Sequence, residues 1–184
     1  MNTALAITAT VAALGVIGIG FWTLLRLYLT FRGTRVVTCP ETGKRAAVEV
    51  NARRAAVTTV VGSPELRVRD CTRWPERRHC GQECLTEIET APADCLVRSI
   101  LAKWYAGRAC VLCGKPIGEI NWLAHEPALM DAAGYTFAWR DLPAERIFDW
   151  LATHRPVCWN CHIAETFRHE HPELVVDRPE HTHV

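Results

Sequence analysis

Two Cys-x2-Cys pairs, Cys110-Val-Leu-Cys113 and Cys158-Trp-Asn-Cys161, constrain this chain more than any other feature. Each pair presents two thiols at the bite of a tetrahedral metal, so together they predict one site built from Cys110, Cys113, Cys158 and Cys161. The 44 residues between the pairs leave room for a hairpin and a helix. A metal held by both pairs would staple those elements into a small module. No catalytic constellation stands out beside them.

The N-terminus carries the second strong signal. From Ala4 to Leu25 there is no charged residue. As a helix the run would span roughly 33 Å, enough for a hydrocarbon core of about 30 Å. A cleaved signal peptide would begin with a basic region and end at a small-residue site, and neither is present; a buried core helix is the other alternative. A retained transmembrane anchor is therefore expected, with residues 4–25 in the membrane. The glycines Gly15, Gly18 and Gly20 are tolerated in lipid but make no strict GxxxG pair. Arg26, Arg32, Arg35, Lys44 and Arg45 all follow the span, which predicts a cytoplasmic soluble part. Nine cysteines fit that compartment when they bind metal or stay reduced.

A net charge of +1 hides an asymmetry. Residues 26–78 hold 12 Lys and Arg against 5 Asp and Glu, and residues 79–184 hold 9 against 15. Basic residues close to the span are attracted to anionic headgroups. An acidic distal part argues against a nucleic-acid partner, since phosphate neutralisation dominates such binding.

Along the chain, Val36–Cys39 and Ala46–Val50 read as strands around a tight Pro-Glu-Thr-Gly turn. Asn51 is the expected N-cap of a helix over 52–61, stopped by Gly62-Ser63-Pro64. Leu66–Arg69 alternates and predicts a strand running into Cys71. Residues 80–106 read as helical with a break at Ala91-Pro92, and Cys95, Leu96, Ile100 and Trp104 share an apolar face. Strands are expected near 117–122 and 135–139. Pro143 should open a helix through Leu151, and a last helix should start at Cys161 and end near Pro172. The tail from Val176 should fray.

Gly114, directly after Cys113, suits a knuckle turn whose N–H groups aim at sulfur. Cys158 and Cys161 precede a helix-compatible run, and a helix N-terminus favours their thiolates. A knuckle, a hairpin and a cysteine pair opening a helix make residues 108–170 resemble treble-clef zinc domains. That resemblance implies a structural zinc. Rubredoxin-type iron sites, with knuckles at both pairs, resemble it less.

Two other readings compete. Cys158-Trp-Asn-Cys161-His162 is a CxxCH, the attachment signature of c-type haem with His162 as axial ligand. Such attachment requires assembly outside the cytoplasm and leaves Cys110 and Cys113 unexplained. HNH-type nucleases also place histidines beside two cysteine pairs, and His125-Glu126-Pro127 is faintly similar. Ala124 departs from that pattern, and His154 would have to stand in for a missing Asn.

Cys39, Cys71, Cys80 and Cys84 are expected to form a second site, with spacings x31, x8 and x3. Zinc, a [4Fe–4S] cluster or a set recruiting His79 would each fit, as would buried free thiols. Cys95 is then left to the core. The Cys39-Pro-Glu-Thr-Gly turn followed by Cys71-x2-Trp-Pro-Glu-Arg-x2-Cys80-x3-Cys84 resembles uncharacterised membrane-anchored, cysteine-rich bacterial proteins, which implies a domain family and no particular activity.

The expectation is an α+β protein: one transmembrane helix, then a small metal-stapled region with a treble-clef or zinc-ribbon-like distal module. The division is an anchor at 1–29, a cysteine-containing β-rich module at 30–90, a four-cysteine module at 91–172 and a flexible tail at 173–184. Closed tetrathiolate zinc stabilises rather than catalyses, so a structural or assembly subunit with a protein partner at the cytoplasmic membrane face leads. Electron transfer through an iron–sulfur, iron–thiolate or haem c centre is the alternative. An HNH-like nuclease is more remote.

Overall fold

In a computed structural model, residues 2–74, 76 and 79–175 are described. The tail expected to fray, 176–184, lies outside them, as do three residues of the Trp74–Cys80 motif. The chain divides into two compact units, Met1–Ile100 and Leu101–Val184.

The first unit opens with helix α1 (Asn2–Phe31), about 45 Å long at 1.5 Å per residue. Its Ile7–Phe31 portion is long and apolar enough to cross a membrane, and its most apolar window is not buried at all. That exposure is unlike the core helix of a soluble protein. Strands β1 (Thr34–Thr38) and β2 (Arg45–Val50) form a hairpin, and β3 (Val68–Cys71) completes an antiparallel sheet in the order β1-β2-β3. Between β2 and β3 runs helix α2 (Ala52–Val61), where the Asn51 side chain accepts the Arg54 N–H at 3.1 Å. Helix α3 (Leu85–Thr90) follows. Val37, Val48 and Val50 of the sheet pack with Phe31, Ala55, Leu66, Ile88 and Cys95 into one core. The last turn of α1 is therefore part of that core through Phe31.

Arg35 shows how the apolar helix is joined to the sheet. It was expected among the charges available to headgroups, yet it is fully buried. Its guanidinium donates to the Phe31 carbonyl at 2.7 Å, to the Gly33 carbonyl at 3.1 Å and to the Thr30 carbonyl. The Thr30 and Phe31 carbonyls belong to the last turn of α1, have no partner inside the helix and carry its negative dipole charge. Burial pushes the Arg35 guanidinium down from its usual value, and the neighbouring Cys95 sulfur opposes that shift. The chain around Cys95 closes over the site: the Val36 N–H donates to the Cys95 carbonyl at 2.8 Å, and Arg35 pairs with Leu96 along the free edge of β1.

Helix α4 (Val97–Tyr105) carries the chain into the second unit. There β4 (Ala128–Met130) lies between β5 (Thr136–Ala138) and β6 (Arg155–Val157), all antiparallel. All of β4 is buried, and the Tyr105 hydroxyl donates to the Ala128 carbonyl at 2.7 Å. Helix α5 (Ile147–Thr153) precedes β6, and helix α6 (Trp159–Glu170) follows it. The segment 117–122, expected as a strand, makes only the Ile117 N–H bond to the Arg108 carbonyl and an isolated bridge from Asn121 to His125. The helix expected from Pro143 begins as a 3-10 turn and becomes α-helical only at Ile147. Strand β6 was not anticipated, because Pro156 lies inside it. Pro156 is accepted because β6 is an edge strand, where a missing N–H breaks no ladder bond.

Candidate metal centre

Hairpin geometry positions the first cysteine pair. Ala109 and Pro116 pair across a tight turn, the Cys110 N–H donates to the Lys115 carbonyl at 2.8 Å, and the Gly114 N–H donates to the Cys110 carbonyl at 2.9 Å. Gly114 closes the turn at φ +70°, in the left-handed region where glycine carries no Cβ penalty. The backbone N–H groups of Leu112 and Cys113 are thereby aimed at the Cys110 sulfur. The Val111 N–H donates to the Pro156 carbonyl at 2.9 Å, which ties the knuckle to β6.

The second pair sits where β6 passes into α6. Cys158 is the extended N-cap residue of α6, and Cys161 lies in its first turn. The helix thus starts before Cys161, at Trp159, and presents both thiols from its positive end. The sulfurs of Cys113 and Cys158 stand 3.8 Å apart, and the four sulfurs of Cys110, Cys113, Cys158 and Cys161 all lie within 4.8 Å of one another. A tetrahedron with zinc–sulfur bonds of about 2.3 Å has edges of about 3.8 Å. The group can hold a metal ion such as zinc. Among the described residues it is the set of His, Cys, Asp or Glu side chains gathered this closely.

Burial and neighbouring groups shift the thiols of Cys110, Cys158 and Cys161. Burial pushes the Cys110 thiol up, but N–H donation from Cys158, Cys113 and Leu112 outweighs it and holds the thiol down at about 6. Cys161 moves strongly the other way, through burial and the neighbouring sulfurs of Cys158, Cys113 and Cys110. Burial raises Cys158 as well. One thiolate forms readily, and the next must form beside it. A divalent cation removes that repulsion and displaces the remaining protons.

The histidines lie around this group rather than in it. His162 Nδ1 and Thr136 Oγ1 are 2.9 Å apart, which ties α6 to β5, and burial lowers the imidazole pKa. His125 stands edge-on to Trp159 with ring centroids 6.1 Å apart. His154 packs against Trp150 and Phe137. Thr136 was missed in the sequence, which offers no signal for a contact spanning 26 residues.

In the first unit Cys39, Cys71, Cys80 and Cys84 line one cavity of about 30 Å3. Burial and the neighbouring Cys71, Cys80 and Cys39 push the Cys84 thiol up to about 11. Burial also raises Cys71. Cys39 shifts down, chiefly through the hydrogen bond from the Thr42 side chain. His79 is exposed. Cys95 is buried in the core beside Arg35.

Fold and site together define a mixed α+β chain with small antiparallel sheets, an apolar N-terminal helix and a four-cysteine group that can hold a metal. The chain matches no protein-family model, no curated protein and no solved structure.

Proposed function

We propose that this is a single-span membrane protein whose distal unit is a treble-clef-like module closed by a structural zinc ion, and that it docks or assembles a protein partner at the cytoplasmic membrane face. The observation carrying the metal reading is the convergence of four sulfurs from a knuckle and a helix N-terminus to within 4.8 Å of one another. Four thiolates fill a tetrahedral ion and leave no position for substrate, so the metal supports folding. Drawing Cys158 and Cys161 into that group also leaves them unavailable for covalent haem attachment.

Two features support the location. Large apolar side chains of α1 are exposed from Ile7 through Trp22. Near the end of that helix Arg32, Arg53 and Arg69, with Glu49 as the one acidic lining residue, border a polar cavity of about 590 Å3, a net basic face suited to an anionic membrane surface. A docking role is supported by α6, where Ile163 and Phe167, one helical turn apart, are both about half exposed.

Elemental analysis and an absorption spectrum of the full chain in detergent test this reading. The expected result is zinc with no visible bands. A haem spectrum, or iron in place of zinc at the distal cysteines, would overturn the metal reading. Extraction from membranes at native expression as a bare monomer would overturn the assembly role.

A further inference from the structure

We infer that the first unit carries a second metal site, formed by Cys39, Cys71, Cys80 and Cys84 and filled by a single soft divalent ion of zinc's class. The inference does not depend on the membrane or docking reading.

Its basis is an internal duplication of geometry. The turn Cys39-Pro-Glu-Thr-Gly43-Lys44 repeats the two closing backbone bonds of the turn Cys110-Val-Leu-Cys-Gly114-Lys115. The Cys39 N–H donates to the Lys44 carbonyl at 2.9 Å, and its distal counterpart, Cys110 to Lys115, measures 2.8 Å. The Gly43 N–H donates to the Cys39 carbonyl at 2.8 Å, against 2.9 Å for Gly114 and Cys110. Gly43 has φ +62° and Gly114 has φ +70°. The flanking residues pair in the same register, Thr38 with Arg45 and Ala109 with Pro116. In both turns the N–H groups of the third and fourth residues donate to the first cysteine's sulfur: Glu41 and Thr42 here, Leu112 and Cys113 there.

One position differs. Thr42 stands where the distal knuckle has Cys113, and its side chain hydrogen-bonds the Cys39 sulfur. The upstream knuckle therefore supplies one thiolate instead of two. A tetrahedral ion then needs three more ligands, and three more cysteines line the same cavity. Cys71 comes from the end of β3, where its sulfur accepts the Arg73 N–H at 3.4 Å. Cys80 and Cys84 flank Gln82, which has φ 56° although it is not glycine. Its side chain accepts the Val68 N–H at 2.9 Å, which fastens the Cys80–Cys84 turn to the strand bearing Cys71. Backbone held in the left-handed region by a tertiary contact costs energy, and such strain gathers at working sites. A core cysteine needs none of this arrangement, as Cys95 shows: it is buried beside Arg35, with the Ala91 and Pro92 carbonyl oxygens near its thiol and no other cysteine shifting it. Binding would draw the four thiolates onto one ion and release their protons.

Cobalt(II) titration of the metal-stripped full chain in detergent is the test. Two equivalents with thiolate-to-cobalt charge-transfer bands are expected. Cys39→Ser should bind one equivalent at the distal site, and Cys113→Ser one equivalent upstream. A wild-type stoichiometry of one that Cys39→Ser leaves unchanged, or a Cys39→Ser protein that still binds two, would overturn the inference. A change confined to Cys113→Ser concerns the distal site alone, so the two readings fail separately. Mass spectrometry of alkylated wild type avoids any folding defect in the variants. Metal should slow modification of Cys39, Cys71, Cys80 and Cys84 at least tenfold, and equal rates with and without metal would overturn the site. Iron with stoichiometric inorganic sulfide would also overturn it, in favour of a cluster.

Discussion

The two units place the same knuckle in different surroundings. Around Cys39 the first unit has an extensive apolar core, from Phe31 of α1 through the sheet to Ile88 of α3. Around Cys110 the packed cluster consists of Ala128, Met130 and Val157 with little beyond the thiols themselves. β4 alternates, so Leu129 points away from that cluster to the other face. Small modules compensate for a thin core with staples. The distal unit is therefore expected to depend on its metal for folding, and the first unit to retain much of its structure without one.

The largest expected effect is metal removal. Structural zinc contributes on the order of 10 kcal/mol in small zinc domains at neutral pH. Chelation, or Cys113→Ser, should abolish amide protection of β4 and α6 while β1, β2 and α2 stay protected in hydrogen exchange. Simultaneous loss of protection in both units would break the contrast.

Acidification should act on the distal unit by the same route. The metal-binding form needs thiolates, and Cys110 keeps its own down to about pH 6. Because that folded value lies below the unfolded one, its contribution is present at higher pH and is lost as pH falls through it. Zinc release followed with a chromogenic chelator should increase as pH falls, as protons compete with the metal for the thiolates. Full retention at about pH 4.5, where protons compete strongly for thiolates, would contradict the assignment.

A third effect sharpens the other side of the comparison. Arg35→Met keeps the bulk of the side chain but leaves the Phe31, Gly33 and Thr30 carbonyls without their donor. A loss of about 3 kcal/mol is expected, confined to the first unit and read from its urea midpoint. A change in the distal unit's metal content would show that the two are coupled. The smallest effect is Tyr105→Phe, which removes the hydrogen bond to the Ala128 carbonyl in the middle strand beside the thiols. About 1 kcal/mol is expected in the metal-loaded protein. An equal loss of zinc affinity would mean that β4 positions the ligands.

Local signals were legible. The Asn51 cap and the Gly62-Ser63-Pro64 stop bound α2 as expected, and the alternation around Pro-Glu-Thr-Gly yielded β1 and β2. Segment 117–122 was expected as a strand, but beyond the Ile117 N–H bond to the Arg108 carbonyl it makes only the Asn121–His125 bridge. Strand β6 was hidden by a proline that only an edge position permits. Arg35 looked like one of several basic residues near an apolar run. Nothing local distinguished it from Arg32, because its burial depends on Leu96 closing the edge of β1 from 61 residues away.

By itself, then, the sequence determined the long apolar helix, the two cysteine pairs and the turns that Gly43 and Gly114 close, since each depends on residues within a few positions of one another. Only the tertiary structure decided that Arg35 is buried under Leu96, that Pro156 lies on an edge strand, and that His162 meets Thr136. Those outcomes rest on hydrogen bonds and packing between distant segments, whose partners no local pattern names.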